Sequence, residues 1–142
     1  MIPGLSGKKI FITGGTGFLG SLVLRRLKSI SESARSGVSV TVLTRNPEKF
    51  RAEKPELLWS GLEFIKGNVT NFRFDSRAGF DFVIHGGNSA EAPANEIENK
   101  LFRETTIEGT DHLLAEIERL AEPPRKILLL SSGAVYRATK TD

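Results

Sequence analysis

A short apolar run that is broken by glycines constrains the fold of this chain more than any other feature. Lys9–Thr13 has the composition of a buried strand, and Gly14 and Gly15 follow it immediately. Beyond these glycines, apolar side chains recur at helical spacing from Phe18 to Ile30, which indicates an amphipathic helix. A strand that turns through glycines directly into a helix predicts the start of a βαβ unit.

The same alternation of strands and helices continues along the chain. Asn46 and Pro47 predict the start of a short helix, and a longer helix that contains Gly109 should stop before Pro123. We expect Gly109 to allow close packing of that helix on the sheet. Further strands are predicted at Val38–Leu43, Leu62–Ile65, Phe80–Ile84 and Lys126–Ser131.

The last of these strands is apolar on both faces, as a central parallel strand should be. Strands that alternate with helices favour right-handed crossovers and a parallel sheet covered on both faces. We therefore predict an α/β fold with a doubly wound parallel sheet, a Rossmann fold, in strand order 3-2-1-4-5. In such sheets, ligands bind beyond the carboxyl ends of the strands.

Composition excludes several classes of protein. The chain has 142 residues, of which 39% are hydrophobic and 26% charged, as is typical of one globular domain. Zero cysteines exclude disulfides, thiolate metal sites and cysteine nucleophiles, and we expect no metal site. No apolar run approaches the roughly 20 residues of a membrane span, and no secretory leader precedes the first strand, so we expect a cytoplasmic protein. A net charge of +3 spread among acidic residues does not favour nucleic-acid binding.

The glycine-rich segment has the spacing of a phosphate-binding turn. Gly15, Gly17 and Gly20 form the pattern G-x-G-x-x-G, and Gly14 begins an overlapping variant of it. Glycines permit a tight turn and let backbone N–H groups at a helix N-terminus approach a pyrophosphate. The alternative is a purely structural turn. We predict that a dinucleotide cofactor contacts the whole segment, namely Gly14, Gly15, Thr16, Gly17, Phe18, Leu19 and Gly20.

The end of the second strand bears on the choice of cofactor. An acidic residue usually binds the adenosine ribose there, about 20 residues after the glycines. This chain has Arg45 at that point, which favours NADP over NAD because a guanidinium can pair with a 2′-phosphate. Alternatively, Arg45 is a solvated loop charge or stacks on adenine without selecting either cofactor.

Several further segments carry a resemblance to a known family. They are Thr13–Gly20, Gly67–Thr70, Val83–Gly87, Thr106–Thr110 and Ser131–Tyr136. With these segments, the chain resembles the N-terminal part of an extended short-chain dehydrogenase/reductase, in the NAD(P)-dependent epimerase/dehydratase family that works on nucleotide sugars. The first and last segments are close matches. The middle three depart from the family pattern; for example, Asn68 stands where the family has an Asp that contacts adenine.

This resemblance implies roles for residues near the strand ends. Asn68 and Val69 would contact adenine, and Gly86, Gly87 and Asn88 would lie close to the cofactor. Ser132 takes the place of the catalytic Ser/Thr that hydrogen-bonds the substrate oxygen, although a serine that merely ends a strand is the alternative. For His85 and His112 a structural or solvated role is favoured.

The resemblance also implies that the catalytic Tyr/Lys pair lies beyond Asp142. Tyr136 and Lys140 fit the spacing Y-x-x-x-K, but they follow Ser132 too closely to be that pair. On this interpretation, residues 1–142 are a dinucleotide-binding domain truncated before the catalytic helix and the substrate lobe, and are inactive alone.

The function implied for the parent protein is epimerisation or dehydration of a nucleotide sugar by transient hydride transfer, similar to a dTDP-glucose 4,6-dehydratase. A homodimer is a further possibility. Two alternatives stay open: a non-catalytic NAD(P)-sensing module of the same fold, and an NADPH-dependent carbonyl reductase. A second Y-x-x-x-K on a helical pattern beyond Asp142 would favour the enzyme over the sensor.

Overall fold

The computed structural model describes residues 4–34, 37–86 and 95–131 of the chain. Its strands are β1 (Lys9–Thr13), β2 (Ser39–Thr44), β3 (Leu62–Lys66), β4 (Phe82–His85) and β5 (Lys126–Leu129). Its α-helices are α1 (Phe18–Ala34), α2 (Pro47–Glu53) and α3 (Glu96–Glu118), and a single 3₁₀ turn spans Pro55–Leu57.

The five strands form one parallel sheet in the order β3-β2-β1-β4-β5. The predicted doubly wound sheet and its strand order are therefore confirmed. Because all five strands run the same way, their carboxyl ends meet at one edge of the sheet. This edge carries the segments after β1, β2, β3 and β4, which sequence patterns had marked for ligand binding.

Local capping explains where the helices begin. The Asn46 side chain accepts a hydrogen bond from Lys49 N at 3.0 Å, and Pro47 occupies the first turn of α2. The Asn95 side chain likewise accepts from Glu98 N at 2.9 Å at the start of α3. The predicted stop before Pro123 is confirmed, because α3 ends at Glu118.

Alternating side chains of β1 enter two different apolar cores. Ile10 and Ile12 lie on the face covered by α1 and α2, in a core that also contains Leu24, Leu27, Val40, Val42 and Phe50. Phe11 lies on the opposite face, packed with Val83 and with Leu113 of α3. This alternation places helices on both faces of the sheet.

The environment of Gly109 differs from the prediction. A Cβ atom at this position would lie 2.6 Å from Cγ1 of Val69, which belongs to the loop after β3. Gly109 therefore allows α3 to pack closely on that loop, and its closest contact is not with a strand.

The apolar pattern of β5 is typical of a buried central strand, but in the described ranges all four of its residues are exposed. There β5 is the outermost strand, as the predicted strand order requires. Of the elements in the described ranges, only β4 pairs with it.

No helix in the described ranges has both the length and the apolar composition that crossing a membrane requires.

Candidate functional site

The turn between β1 and α1 is held in a tight conformation by glycines. Gly14 has φ +74°, a conformation that L side chains rarely adopt, and its carbonyl oxygen accepts a hydrogen bond from Gly17 N at 3.2 Å. A Cβ atom on Gly20 would overlap Gly14 O and lie 2.5 Å from Gly15 Cα. The turn and the first helical turn are thus packed backbone to backbone, which only glycine allows at position 20.

Gly17 differs from its neighbours because internal packing does not require a glycine there. A Cβ atom on Gly17 would meet only Gly14 O, at 3.4 Å, which is an ordinary contact. The φ angle of Gly17 is not positive, and the residue is exposed. A group outside the chain that approaches the backbone closely would account for a glycine at this position.

The surface around Gly17 is suited to an anion. The first N–H groups of α1 have no partner within the helix, and the helix dipole places partial positive charge there. Phe18 and Leu19 begin α1 with side chains that are 77% and 60% exposed. The turn therefore presents backbone donors beside apolar side chains, and among the described residues, its chain neighbours aside, no side chain lies within 4 Å of where a Gly17 Cβ atom would stand.

Arg45 and Asn68 lie on one side of this turn, beyond the carboxyl ends of the neighbouring strands β2 and β3. Arg45 directly follows β2 and is exposed. Asn68 follows β3 in an exposed turn, where its side chain accepts a long hydrogen bond from Thr70 N, at 3.4 Å. Val69, in contrast, is buried in the core against α3. The charge of Arg45 and the amide of Asn68 therefore lie beyond the ends of β2 and β3, as the sequence predicts.

The end of β4 is tied to the end of β1 by polar contacts. His85 Nδ1 lies 2.7 Å from Thr13 Oγ1, and its Nε2 lies 3.0 Å from Thr110 Oγ1 of α3. Gly86 N donates to both the carbonyl and the hydroxyl oxygen of Thr13, at 3.2 and 3.1 Å. Burial disfavours the charged imidazolium and lowers the pKa of His85 below its usual value.

The two threonines beside His85 belong to segments that carry the family resemblance, Thr13–Gly20 and Thr106–Thr110, but the sequence assigns neither of them a role. Thr13 is the last residue of an apolar strand, and Thr110 lies one helical turn after Thr106. The feature that could have identified Thr13 is the pairing of β1 with β4, which places Thr13 opposite His85. That pairing depends on the strand order and on the register of the two strands.

Some predicted site residues lie outside the described residues. These are Gly87, Asn88 and Ser132, together with Tyr136 and Lys140. Within the described ranges, no group of three or more His, Asp or Glu residues is placed to hold a metal ion.

The sequence matches a known protein family over most of its length. Residues 10–142 match the family model of the NAD dependent epimerase/dehydratase family. The chain belongs to this family. The predicted relationship to NAD(P)-dependent epimerases and dehydratases is thereby confirmed at the level of the family.

Individual relatives are distant and considerably longer. Protein y4nG of Sinorhizobium fredii is 31% identical over 137 residues, which are 95% of this chain and 30% of that protein. A UDP-glucose 4-epimerase of Rickettsia typhi is 28% identical over 132 residues, 91% of this chain and 38% of the relative. The chain thus spans between about a third and two fifths of the length of these relatives.

A solved structure shares the fold. It is the UDP-glucose-4-epimerase of Stenotrophomonas maltophila, a structure with bound NAD and formylated UDP-arabinopyranose. It matches with a TM-score of 0.71 and 15% identity, over 94% of this chain and 40% of the epimerase chain. At this identity the match supports the epimerase/dehydratase fold only.

Proposed function

We propose that this chain is the dinucleotide-binding part of an NAD(P)-dependent epimerase or dehydratase. The observation that carries the proposal is Gly17, a glycine that the packing of the turn does not require and whose missing side chain leaves the backbone open to a ligand. Membership of an NAD dependent family supplies the chemical class of that ligand.

The residues of the chain fit such a cofactor. Gly15, Thr16 and Gly17, with the first turn of α1, would hold the pyrophosphate through backbone N–H groups. Asn68 and the backbone of Val69 would lie near adenine. Gly86, Gly87 and Asn88 would lie near the nicotinamide half. When bound, the cofactor would supply a hydride acceptor and donor for a sugar carbon.

Substitution of Gly17 tests the pyrophosphate site. Gly17→Ala should weaken NADH binding by about tenfold or more, because the added methyl group separates the phosphate from its backbone donors. Gly17→Glu should abolish binding, since it adds bulk and a negative charge. Calorimetric titration with NADH measures both effects, and urea unfolding should show stability changed by no more than about 0.5 kcal/mol for the alanine variant.

Gly79→Ala is the matched control for this experiment. A Cβ atom at Gly79 would have no heavy atom within 4 Å, and the residue lies in the loop before β4, at the other edge of the sheet. The control should therefore bind NADH as the native chain does. Unchanged binding by Gly17→Ala and Gly17→Glu would contradict the proposed site.

We propose further that Arg45 selects NADP. Its exposed guanidinium, directly after β2, would pair with a 2′-phosphate. The native chain should bind NADPH more tightly than NADH, and Arg45→Asp should reverse the preference, whereas Arg25→Asp on the exposed side of α1 should not alter it. Equal affinity of the native chain for both cofactors would contradict this assignment.

For the whole protein we propose a nucleotide-sugar substrate. The support is the family and the named activities of its members, among them UDP-glucose 4-epimerase. Ser132 would hydrogen-bond the reacting oxygen of the sugar, and the Tyr/Lys pair would be supplied by sequence beyond residues 1–142. Two reactions are to be distinguished, a dehydration similar to that of dTDP-glucose 4,6-dehydratase and a 4-epimerisation. The experiment is to incubate the full protein with each nucleotide sugar and to identify the product.

A further inference from the structure

A chain of hydrogen bonds, buried at Thr13 and His85, connects the end of β1, directly before the glycine turn, to α3. It runs from Gly86 N to Thr13 Oγ1, from Thr13 Oγ1 to His85 Nδ1, and from His85 Nε2 to Thr110 Oγ1. Thr13 is 2% exposed and His85 is 7% exposed. Buried polar groups must satisfy their hydrogen bonds internally, so the direction of each bond in this chain matters.

The direction of each bond follows from its outer partners. Thr110 Oγ1 donates to the carbonyl oxygen of Thr106 at 2.6 Å, so towards His85 it can only accept. His85 Nε2 therefore carries a hydrogen. In a neutral imidazole the other ring nitrogen is then an acceptor, so Nδ1 accepts from the hydroxyl of Thr13.

The hydroxyl of Thr13 is equally constrained. Its hydrogen points to His85, and its lone pairs face Gly86 N, which can only donate. All the bonds are satisfied by one arrangement, a neutral His85 with the hydrogen on Nε2. Both ring partners of His85 are uncharged hydroxyls, one on β1 and one on α3, and the lowered pKa of His85 agrees with a neutral ring.

This arrangement lies directly beneath the turn that would hold the cofactor. Thr13 is the residue before Gly14, whose φ of +74° starts the turn, and Gly86 begins the segment after β4. Loss of the Thr13 hydroxyl would remove one of the two acceptors of Gly86 N and the ring partner of His85 on β1, and so weaken the tie between the ends of β1 and β4. The N–H groups of the turn would then be held less firmly in their orientation.

We infer that His85 is a positioning residue for the dinucleotide site, holding the β1–α1 turn in its binding shape through Thr13 and joining it to α3 through Thr110. The inference rests on the proposed cofactor function. His85 acts through Thr13 and needs no contact with reacting atoms, so it is distinct from the catalytic groups of the enzyme.

The first test is the tautomer of His85 in the chain without cofactor. Two-bond ¹H–¹⁵N spectra should show a pyrrole-type nitrogen at Nε2 and a pyridine-type nitrogen at Nδ1 near neutral pH. Thr110→Val should remove this preference, because the hydroxyl acceptor is lost. A hydrogen on Nδ1, or an equal mixture of tautomers in the native chain, would overturn the inference whether or not the chain binds a cofactor.

The second test is the affinity for NADH of variants at Thr13. Thr13→Val should weaken binding by about tenfold, the order expected for losing one buried hydrogen bond, and Thr13→Ser should restore it by returning the hydroxyl. Thr41→Val, on the neighbouring strand β2, is the matched control and should bind as the native chain does. His85→Leu should resemble Thr13→Val, whereas His85→Asn, with an amide oxygen near the Nδ1 position, should lose less affinity.

The outcomes separate the two proposals. In one outcome the native chain binds NADH, and the variants Thr13→Val and His85→Leu fold and bind it equally well. The positioning role is then wrong, and the proposed cofactor site is not affected. If the native chain has the expected tautomer but binds neither NADH nor NADPH, the proposed function fails and the positioning role fails with it. Should His85→Leu not fold, the comparison of Thr13→Val with Thr13→Ser decides.

Discussion

A single buried histidine makes the stability of this chain depend on pH. Burial lowers the pKa of His85, so the folded chain takes up its proton at lower pH than the unfolded chain does. At pH values between the pKa of the unfolded state, about 6.5, and the lower pKa of the folded state, the unfolded state binds more protons than the folded state does. Stability contributed by neutral His85 is therefore present above about pH 6.5 and is lost as pH falls through this window.

We predict that the free energy of unfolding decreases below pH 6.5 with a slope of at most about 1.4 kcal/mol per pH unit from this one group. The measurement is urea unfolding at pH values from 5 to 8 for the native chain and for His85→Asn, which does not titrate there. The difference in stability between the two proteins should narrow towards low pH. A difference that is constant across the range, or that widens on acidification, would contradict the prediction.

At the scale of elements, α3 is joined to the loop after β3 by two kinds of contact. The buried carboxylate of Glu116 accepts from Phe74 N at 3.0 Å and from Arg73 at 2.5 Å. Burial alone would raise the pKa of Glu116, but these donors outweigh it and lower the pKa. About two turns earlier in the helix, Gly109 lets Val69 pack directly against the helix backbone. The helix thus fixes the loop that carries Asn68.

We predict that Gly109→Ala destabilises the chain although alanine is the better helix former. Its methyl group would meet Val69 Cγ1 at 2.6 Å, and such overpacking costs about 1 to 3 kcal/mol, against a gain of about 1 kcal/mol in helix propensity. In a Val69→Ala background the same change should be neutral or stabilising. A double-mutant cycle by urea unfolding measures this coupling, and additive effects would refute the contact.

At the scale of the whole molecule, an apolar surface lies along the β5 edge, defined here as Ile127, Leu128, Leu129 and Leu130. The first three of these side chains are 42% to 55% exposed, and β5 is the outermost strand of the sheet in the described ranges. Edge strands usually carry charges or proline, because an unpaired apolar edge invites association. β5 carries a charge only at its first residue, Lys126.

We therefore predict that the 142-residue chain self-associates in solution through this edge. Leu128→Lys should shift sedimentation velocity profiles towards the monomer without lowering stability, because the side chain is already exposed. Leu22→Lys, a change at another exposed leucine on α1, serves as the control and should leave association unchanged. A monomeric native chain at all concentrations would contradict this prediction.

Much of the fold and part of the candidate site could be predicted from local pattern. The glycine turn was located correctly, because the conformation of Gly14 and the closeness of Gly20 to the turn depend on neighbouring residues. Arg45 and Asn68 lie beyond strand ends as expected. Their roles in binding, and those of Gly87, Asn88 and Ser132, stay predictions.

The sequence by itself determined the alternation of strands and helices and the turn after β1, since periodicity, capping and backbone preference act over short distances along the chain. The strand order is predicted from that alternation through the rule for right-handed crossovers, and the structure confirms it. Only the tertiary structure decided that Thr13, His85 and Thr110 meet, that Gly109 packs on Val69, and that the apolar β5 is exposed. Thr13 and His85 are 72 residues apart and His85 and Thr110 are 25 apart. Contacts over such separations depend on sheet register and on where helices cross the sheet, which no local pattern encodes.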